Sequence, residues 1–420
     1  MLDASVIREN QGLIRTSLKN RLYDEDVLDS FLEVDGEWRK LVDESNQLKR
    51  RKNIVAEEIS RMSAEERKIK IIEMKEVSER IKILDNRVAE LEGEREDIAL
   101  NIPNIPHETV PVGIDEEDNL LIREYGSPRD FDFQPKDHIQ IAEELDIIDF
   151  ARGAKVTGSG FYILKGDGAR IERALINYML DLHREQGYIE IFPPVLVNRN
   201  SVIGTGQYPK LKEDMYWVER DDLWLNPTAE VPVTNLFADE ILDKEELPIS
   251  LTAYLPSFRR EAGKHADTKG IIRVHQFNKV EMVKFVLPEE SYDELEILLG
   301  NAEDVLQGLK IPYRVMLLCT ADLGFSASKC YDIEAHAPGS GKWLEVSSCS
   351  CFTDFQARRA RVKYRPMPHM KSEFVHTLNG SGIALPRTLV AILENCQNED
   401  GTVTIPEAIR PYMQGQELIE

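Results

Sequence analysis

Two heptad repeats in the first hundred residues constrain the fold more than any other feature of this chain. Over residues 31–62, the positions that would face a partner helix, called the seam, follow one another at alternating spacings of three and four residues. Residues 77–98 repeat that pattern. Such seams are typical of two long helices that pack along each other. Between them, Ser63 and Glu66 have the spacing of a capping box, which predicts that the second helix begins there.

We predict that this antiparallel helical hairpin, called the arm below, forms a domain of its own over residues 1–105. Each helix has more than thirty residues, which at a rise of 1.5 Å per residue makes it about 50 Å long. Pro103 and Pro106 cannot continue a helix and mark the boundary.

The pattern of residues 106–420 is a mixture of helices and short apolar strands. The strands are separated by hairpin-like loops more often than by helices, which indicates a largely antiparallel sheet. The predicted fold class is therefore α+β, a two-helix coiled-coil arm plus an antiparallel β-sheet domain flanked by helices. The predicted strands are residues 188–192, 249–255, 271–286 and 343–350, and residues 170–186 are predicted as an amphipathic helix.

Composition excludes several classes of protein. Of the 420 residues 42% are hydrophobic, enough for more than one core, and 30% are charged, too many for a membrane-embedded chain. No apolar run approaches the length of a membrane span and the first residues do not resemble a signal peptide, so we expect a cytoplasmic protein. The five cysteines lack paired spacing, which argues against a disulfide framework; a zinc site at Cys349 and Cys351 is a minor alternative.

A net charge of -23 opposes binding of nucleic acid, unless a local basic patch neutralises phosphates. The arm contains one such cluster, which we call the basic cluster: Lys49, Arg50, Arg51 and Lys52. The residues that would extend it are Arg8, Arg15, Lys19 and Arg21. Taken alone, this run is more typical of a solvated helix face.

Charged residues in the second domain indicate a nucleotide site on two antiparallel strands. Arg259 and Glu261 are expected to share one face of the first strand, because side chains alternate along a strand. The residues that share one face of the next strand are His275, Phe277, Lys279 and Glu281. Residues 262–270 are predicted as the loop between the strands, and no P-loop or Rossmann fingerprint competes.

Arg387 follows Pro386, a favoured first residue of a helix, and precedes an apolar periodic run. A helix N-terminus favours an anion, so an arginine together with free backbone N–H groups predicts a phosphate site. A surface arginine is the alternative.

These motifs, in this order, resemble the seryl-tRNA synthetases, a family of class II aminoacyl-tRNA synthetases, over nearly the whole chain. The segments that carry the resemblance are residues 1–3, 103–107, 226–230, 258–263, 275–281, 352–359 and 378–382. Residues 170–194 resemble motif 1 of the class, which builds the dimer interface; residues 258–281 resemble motif 2, and residues 378–395 resemble motif 3. The resemblance implies a homodimer that activates L-serine with ATP to seryl-adenylate, uses Mg²⁺, and transfers the seryl group to the 3′ end of tRNA(Ser), with tRNA(Sec) as a second candidate.

The same resemblance assigns roles to residues. The catalytic residues would be Arg259, Glu261 and Arg387. The serine-binding residues would be Thr228, Ala229, Glu230, Arg259, Glu281, Thr377, Asn379 and Ser381. The ATP-binding residues would be Arg259, Arg260, Glu261, Val274, Phe277, Glu345, Val346, Ser347, Ser348 and Arg387, with Glu345 and Ser348 as the metal position. The tRNA-binding residues would be Lys49, Arg50, Arg51 and Lys52.

Simpler interpretations exist for some of these residues. Phe277 would also suit a core position on its strand, Glu345 a plain strand surface, and Glu230 an N-cap of a helix over residues 231–239. The chain departs from the family pattern at Arg260, residues 264–266, Cys351 and Pro386.

Two other functional classes remain open at this point. One is a related ligase that loads an amino acid onto a carrier protein, although such relatives lack the helical arm. The other is a coiled-coil binding protein with an inactive enzyme domain. This class is disfavoured by the joint presence of five charged residues, Arg259, Glu261, Glu281, Glu345 and Arg387.

Overall fold

The structure is a computed structural model that describes residues 1–59, 62–262 and 270–420. The chain divides into two compact units, Leu2–Pro103 and Asn104–Glu420, with Met1 grouped with the second. Its helices are α1 Ala4–Glu9, α2 Gln11–Asn20, α3 Asp26–Glu58, α4 Ala64–Ala99, α5 His138–Glu144, α6 Phe150–Thr157, α7 Asp167–Glu185, α8 Arg199–Gly204, α9 Glu230–Thr234, α10 Ser291–Leu309, α11 Phe355–Ala360 and α12 Leu385–Asn395.

The strands are mostly short. They are β1 Leu120–Tyr125, β2 Ile148–Asp149, β3 Ile163–Leu164, β4 Ile189–Glu190, β5 Leu196–Asn198, β6 Trp217–Val218, β7 Leu223–Leu225, β8 Ile241–Asp243, β9 Ile249–Phe258, β10 Gln276–Val286, β11 Tyr313–Leu317, β12 Lys329–Ala337, β13 Lys342–Cys351, β14 Lys363–Arg365, β15 Glu373–Phe374, β16 His376–Ala384, β17 Val403–Thr404 and β18 Leu418–Ile419.

In the first unit, α3 and α4 are the two long helices that the heptad repeats predict. Ion pairs join Glu37 to Arg87 and Lys49 to Asp85. The residue number increases along α3 while that of its partner in α4 decreases, so the two helices are antiparallel. Ser63 caps α4 with both bonds of the predicted capping box. The buried seam residues are Phe31, Ser45 and Val55 of α3 and Ile81, Leu84 and Leu91 of α4.

A buried carboxylate explains why an arginine occupies a seam position of α4. Asp35 is 1% exposed and accepts hydrogen bonds from Arg8 at 3.3 Å and Arg95 at 3.2 Å. The guanidinium of Arg95 also lies 3.9 Å from the ring centre of Trp38. A buried charge without partners would be costly, so these contacts stabilise the base of the hairpin.

The second unit is built on an eight-stranded sheet in the order β1-β11-β12-β13-β16-β10-β9-β4. Every neighbouring pair is antiparallel except β4 and β9. The α+β class and the dominance of antiparallel strands are thereby confirmed. Two predicted strands are too long: β10 begins at Gln276 rather than at residue 271, and β4 contains only two residues.

The main core of this unit lies between one face of the sheet and the helices α7, α10 and α12. Along β10, Val280 and Met282 belong to this core, whereas Phe277 and Lys279 point to the other face. That second face carries a smaller core against α9 and α11 at one end and an open pocket at the other. The alternation of a strand therefore separates packing residues from pocket residues.

None of the helices in the described part of the chain is both long and apolar enough to cross a lipid bilayer. The five cysteines are free thiols, and Cys349 and Cys351 are buried in β13.

Candidate active site

A cavity of about 300 Å³ opens on the sheet face formed by β10, β13 and β16. Most of the residues predicted for the site line it. They are Thr228, Glu230, Arg259, Glu261, Val274, Phe277, Glu345, Val346, Ser348, Asn379, Ser381 and Arg387.

Five predicted site residues lie outside this lining. Ala229, Glu281 and Thr377 are fully buried behind the pocket wall. Ser347 is also buried, and its Oγ donates to the backbone oxygen of Ser381 at 2.6 Å. The guanidinium of Arg260 lies 5.8 Å from the ring centre of Tyr216.

Arg259 and Glu261 do not lie on one face of a strand, contrary to the prediction. Strand β9 ends at Phe258, and Glu261 adopts a left-handed backbone with φ +50. Arg259 still continues the pairing, because its backbone N donates to His275 O at 2.9 Å. Strand alternation therefore still places Arg259 on the pocket face, whereas the turn brings Glu261 to the pocket. Most of the predicted loop, residues 263–269, lies outside the described residues.

A β-bulge explains how Glu345 and Ser348 line the same pocket although they are three residues apart in β13. Ser347 pairs with Ile333 and Glu345 pairs with Glu334, so Val346 is the extra residue. A bulge shifts the alternation of a strand by one position. Without it, Glu345 and Ser348 would point to opposite faces of the sheet.

Glu281 is the most deeply buried charged group beside the pocket, with 0% exposure. Its carboxylate accepts from Thr228 Oγ1 at 2.9 Å and from Asn379 Nδ2 at 3.4 Å. Lys279 forms an ion pair with the same carboxylate. These partners offset the cost of burying the charge, and they hold Thr228 and Asn379 at the pocket wall.

Glu230 is a second buried acid that reaches the pocket. Its Oε1 accepts from Gln356 Nε2 at 2.6 Å, and the Oε1 of Gln356 accepts from Thr377 Oγ1 at 2.8 Å. Burial, reinforced by the nearby charge of Glu281, raises the pKa of Glu230 to about 7. The N-cap alternative for Glu230 is wrong, because Ala229 occupies the cap position and the helix ends at Thr234.

Two guanidinium groups face the other part of the pocket. The Cζ of Arg259 lies 5.1 Å from the ring centre of Phe277, and its Nε donates to Pro227 O at 3.2 Å. Arg387 stands in the first turn of α12, as predicted, and its NH1 lies 3.1 Å from the carboxylate of Glu345. Desolvation within the pocket opposes ionisation of Glu345, although its side chain is 46% exposed, but the charge of Arg387 and other nearby cations holds its pKa below the ordinary value.

Three residues of the site were missed by the sequence analysis as functional candidates. Lys279 lies on the same face of β10 as Phe277, and the alternation of side chains along the strand was sufficient to predict that it lines the pocket. Arg273 lines the pocket and forms a 2.7 Å ion pair with Glu261. Gln356 lies far from Glu230 in sequence, and no local pattern connects the two.

Comparison with known proteins relates both units to aminoacyl-tRNA synthetases. Residues 1–106 match the family model of the seryl-tRNA synthetase N-terminal domain. Residues 216–396 match the model of the tRNA synthetase class II core domain for G, H, P, S and T.

Similar proteins span the whole chain. A serine–tRNA ligase of Carboxydothermus hydrogenoformans is 56% identical over 417 residues, which cover 98% of each chain. The crystal structure of seryl-tRNA synthetase from Pyrococcus horikoshii complexed with ATP is 41% identical with a TM-score of 0.95, covering 100% of this chain and 99% of the other. The cytoplasmic serine–tRNA ligase of Naegleria fowleri in complex with AMP is 34% identical with a TM-score of 0.90 and the same coverage. The chain therefore belongs to the seryl-tRNA synthetase family of class II aminoacyl-tRNA synthetases and is a serine–tRNA ligase.

Proposed function

We propose that the pocket binds ATP and L-serine side by side, so that the serine carboxylate attacks the α-phosphorus of ATP. The observation that carries this proposal is the presence in one cavity of Arg259 and Arg387 together with Thr228 and Glu230. The related synthetases of Pyrococcus horikoshii and Naegleria fowleri were crystallised in complex with ATP and AMP, which supports a nucleotide as the ligand of this pocket.

The chemistry of this step needs positioning rather than a strong base. A new bond forms between a serine carboxylate oxygen and the α-phosphorus, and the bond from that phosphorus to the bridging oxygen breaks, so pyrophosphate leaves. The nucleophile is already an anion, and catalysis consists mainly of alignment and neutralisation of phosphate charge. Arg259 is assigned to the α-phosphate and Arg387 to the γ-phosphate, with Phe277 against the adenine ring.

The side chains of Glu345 and Ser348 fit a Mg²⁺ ion, because carboxylate and hydroxyl oxygens are hard ligands. The described residues contain no group of three or more His, Cys, Asp or Glu side chains that could hold a metal. Mg²⁺ usually keeps several waters and takes phosphate oxygens as ligands, so two protein ligands suffice. A bound ion would neutralise phosphate charge.

Serine is the amino acid that the acidic part of this site suits. Glu230 provides an acceptor at the pocket for the ammonium group or the hydroxyl of serine, and the buried Glu281 carboxylate holds Thr228 and Asn379 at the pocket wall. Alanine would leave buried polar groups without a partner, which a site of this kind penalises strongly. Threonine must be excluded by steric fit.

The test of the proposal is pyrophosphate exchange into ATP with each amino acid in turn. Serine-dependent exchange, followed by charging of tRNA(Ser), is the expected result. Exchange with a different amino acid, or none with any, would contradict the proposal. Charging of purified tRNA(Sec) with serine decides whether that tRNA is a second substrate.

The KM for serine is expected to fall about tenfold between pH 6 and pH 8, because the ionised form of Glu230 attracts the ammonium group of serine more strongly than the protonated form does. Its pKa of about 7 lies above the ordinary 4.5, so its contribution to stability is present below 4.5 and is lost as pH rises through 7. Exchange kinetics at several pH values measure the effect. The KM for ATP serves as the control, and a serine KM that is flat over this range would contradict the assignment.

The arm is proposed to bind tRNA through phosphates, and the basic cluster divides into two pairs of residues. Lys49 pairs with Asp85 at 2.8 Å, and Arg51 pairs with Glu73, so both are partly neutralised within the arm. Arg50 and Lys52 are exposed and take part in no ion pair with the described residues. Arg21, predicted as an extension of this surface, is 2% exposed and does not extend it.

Changing Arg50 and Lys52 together to alanine is expected to lower kcat/KM for tRNA by about tenfold and to reduce the slope of log K against log salt by about 2, since each contact to a phosphate releases counterions. Serine-dependent exchange without tRNA should not change. The matched control, Lys49→Ala with Arg51→Ala, removes the same charge from paired side chains and should have a smaller effect. If both double variants had the same kcat/KM for tRNA, the division of the basic cluster into paired and unpaired residues would be contradicted.

A homodimer is proposed from the surface near β4. Ile189 is 62% exposed and Phe192 79% exposed at the end of the sheet, next to α7. Exposed apolar residues in a cluster are typical of a surface that a partner covers, and a second copy of the chain suits the two-fold symmetry of most assemblies.

We also propose a cytoplasmic location for the protein.

A further inference from the structure

A cluster of three residues, of which His138 and Glu394 are buried, joins α12 to two neighbouring segments and has no part in the chemistry described above. Glu394 in α12 is 0% exposed. Its Oε1 accepts from the backbone N of His138 at 3.0 Å and from the Nδ1 of His138 at 2.9 Å. Its Oε2 accepts from the backbone N of Ser340 at 2.9 Å and from the Oγ of Ser340 at 3.1 Å. The carboxyl group therefore holds α5 and the β12–β13 turn against α12.

The other edge of the His138 ring faces Gly270. Nδ1 is the donor to the carboxylate, and Nε2 is buried with no hydrogen-bond partner among the described residues. A Cβ added to Gly270 would lie 2.0 Å from Nε2 and 2.9 Å from Cδ2. Gly270 also has φ +70, a conformation that favours glycine. Backbone conformation and ring contact thus both exclude a side chain at this position.

Gly270 leads directly into a segment that forms part of the pocket wall, residues 271–274. The backbone oxygen of Ile272 accepts from the Nε of Arg387 at 3.3 Å. Arg387 and Glu394 both belong to α12 and are about two turns apart on one side of it. Helix α12 is thus linked to this wall at two points. Arg387 contacts Ile272 directly, and Glu394 binds His138, whose ring lies against Gly270.

We infer that His138 is a positioning residue for nucleotide binding, which holds the wall of residues 270–274 at a set distance from α12. It acts through the backbone of Gly270 and does not touch the ligand. If the wall moves, Ile272 O no longer orients Arg387 towards the phosphates. The inference rests on the proposed role of this pocket in ATP binding.

The first test is His138→Ala, assayed by serine-dependent pyrophosphate exchange in the full-length enzyme. The KM for ATP is expected to rise roughly tenfold, since small displacements of positioning groups have effects of this size or larger. The KM for serine should stay within about twofold, because no hydrogen bond or ion pair joins Glu230 or Glu281 to this wall among the described residues. His138→Asn, which keeps a donor towards Glu394, should recover part of the ATP affinity. Ser340→Ala removes a bond to the same carboxyl group without touching Gly270, and should leave the KM for ATP nearly unchanged.

The second test is a double-mutant cycle with Gly270→Ala. In the native background the new methyl group clashes with the ring, whereas in the His138→Ala background the space is free. The cost of alanine at positive φ is common to both and cancels. The added methyl should therefore raise the KM for ATP less in the His138→Ala background.

An unchanged KM for ATP in His138→Ala, a parallel rise of both KM values, or strict additivity in the cycle would each overturn the inference. A native enzyme without serine-dependent exchange would instead overturn the proposed function, so the two failures are distinguishable.

Discussion

Arg259→Ala is expected to reduce serine-dependent pyrophosphate exchange by about 10²–10³, the loss typical for removing one preorganised donor to developing charge. Arg259 lines the pocket, and its guanidinium is held by Pro227 O beside the ring of Phe277. The decrease should appear mainly in kcat. Thermal stability should change little, because the side chain forms no ion pair in the described part of the chain.

Two further variants make this experiment specific. Arg259→Lys keeps the charge but loses the planar fork that binds phosphate in two places, so its activity should lie between those of the native enzyme and the alanine variant. Arg199→Ala removes an exposed arginine that pairs with Asp222 outside the pocket, and should behave like the native enzyme. If Arg259→Ala kept more than about a third of the native activity, the charge stabilisation assigned to Arg259 would be refuted.

Glu281→Gln is expected to have the second large effect, on both serine binding and stability. The variant leaves Lys279, which is 8% exposed, without its counter-charge. Removing one partner of a buried pair costs about 3 kcal/mol or more in free energy of unfolding. Loss of the carboxylate that Thr228 and Asn379 help to hold should also raise the KM for serine by about a hundredfold, as expected for lost hydrogen bonds to a charged group.

The two consequences can be separated with a second change, Lys279→Met. In the double variant no uncompensated charge remains, so thermal unfolding should return towards the native midpoint while the KM for serine stays high. A double variant that recovered serine affinity together with stability would show that Glu281 acts only in the fold. A single variant with native affinity for serine would contradict its assignment directly.

Local patterns were sufficient to predict the arm and several elements of the second unit. The heptad spacing predicted α3 and α4, and Ser63 and Glu66 predicted where α4 begins, because helix periodicity and capping involve residues only a few positions apart. The position of Arg387 in the first turn of α12 was predictable from Pro386 for the same reason.

Long-range register decided the parts of the site that were predicted incorrectly or missed. The bulge at Val346 depends on how β13 pairs with β12, and it alone allows Glu345 and Ser348 to face one pocket. Glu261 was predicted as a strand residue, but β9 ends at Phe258 and the backbone of Glu261 forms a left-handed turn. The point at which β9 stops pairing with β10 decides where this turn lies.

The same distinction separates the amino acids named from sequence from the network that holds them. Glu230, Glu281 and Asn379 were identified from motifs, but the contacts of Glu230 with Gln356 and of Glu281 with Asn379 join segments that are 126 and 98 residues apart. Short-range spacing is written in the chain because neighbouring residues must satisfy the same backbone geometry. Which distant side chains meet depends on strand pairing and on packing of the whole core, and only the folded sheet determines that.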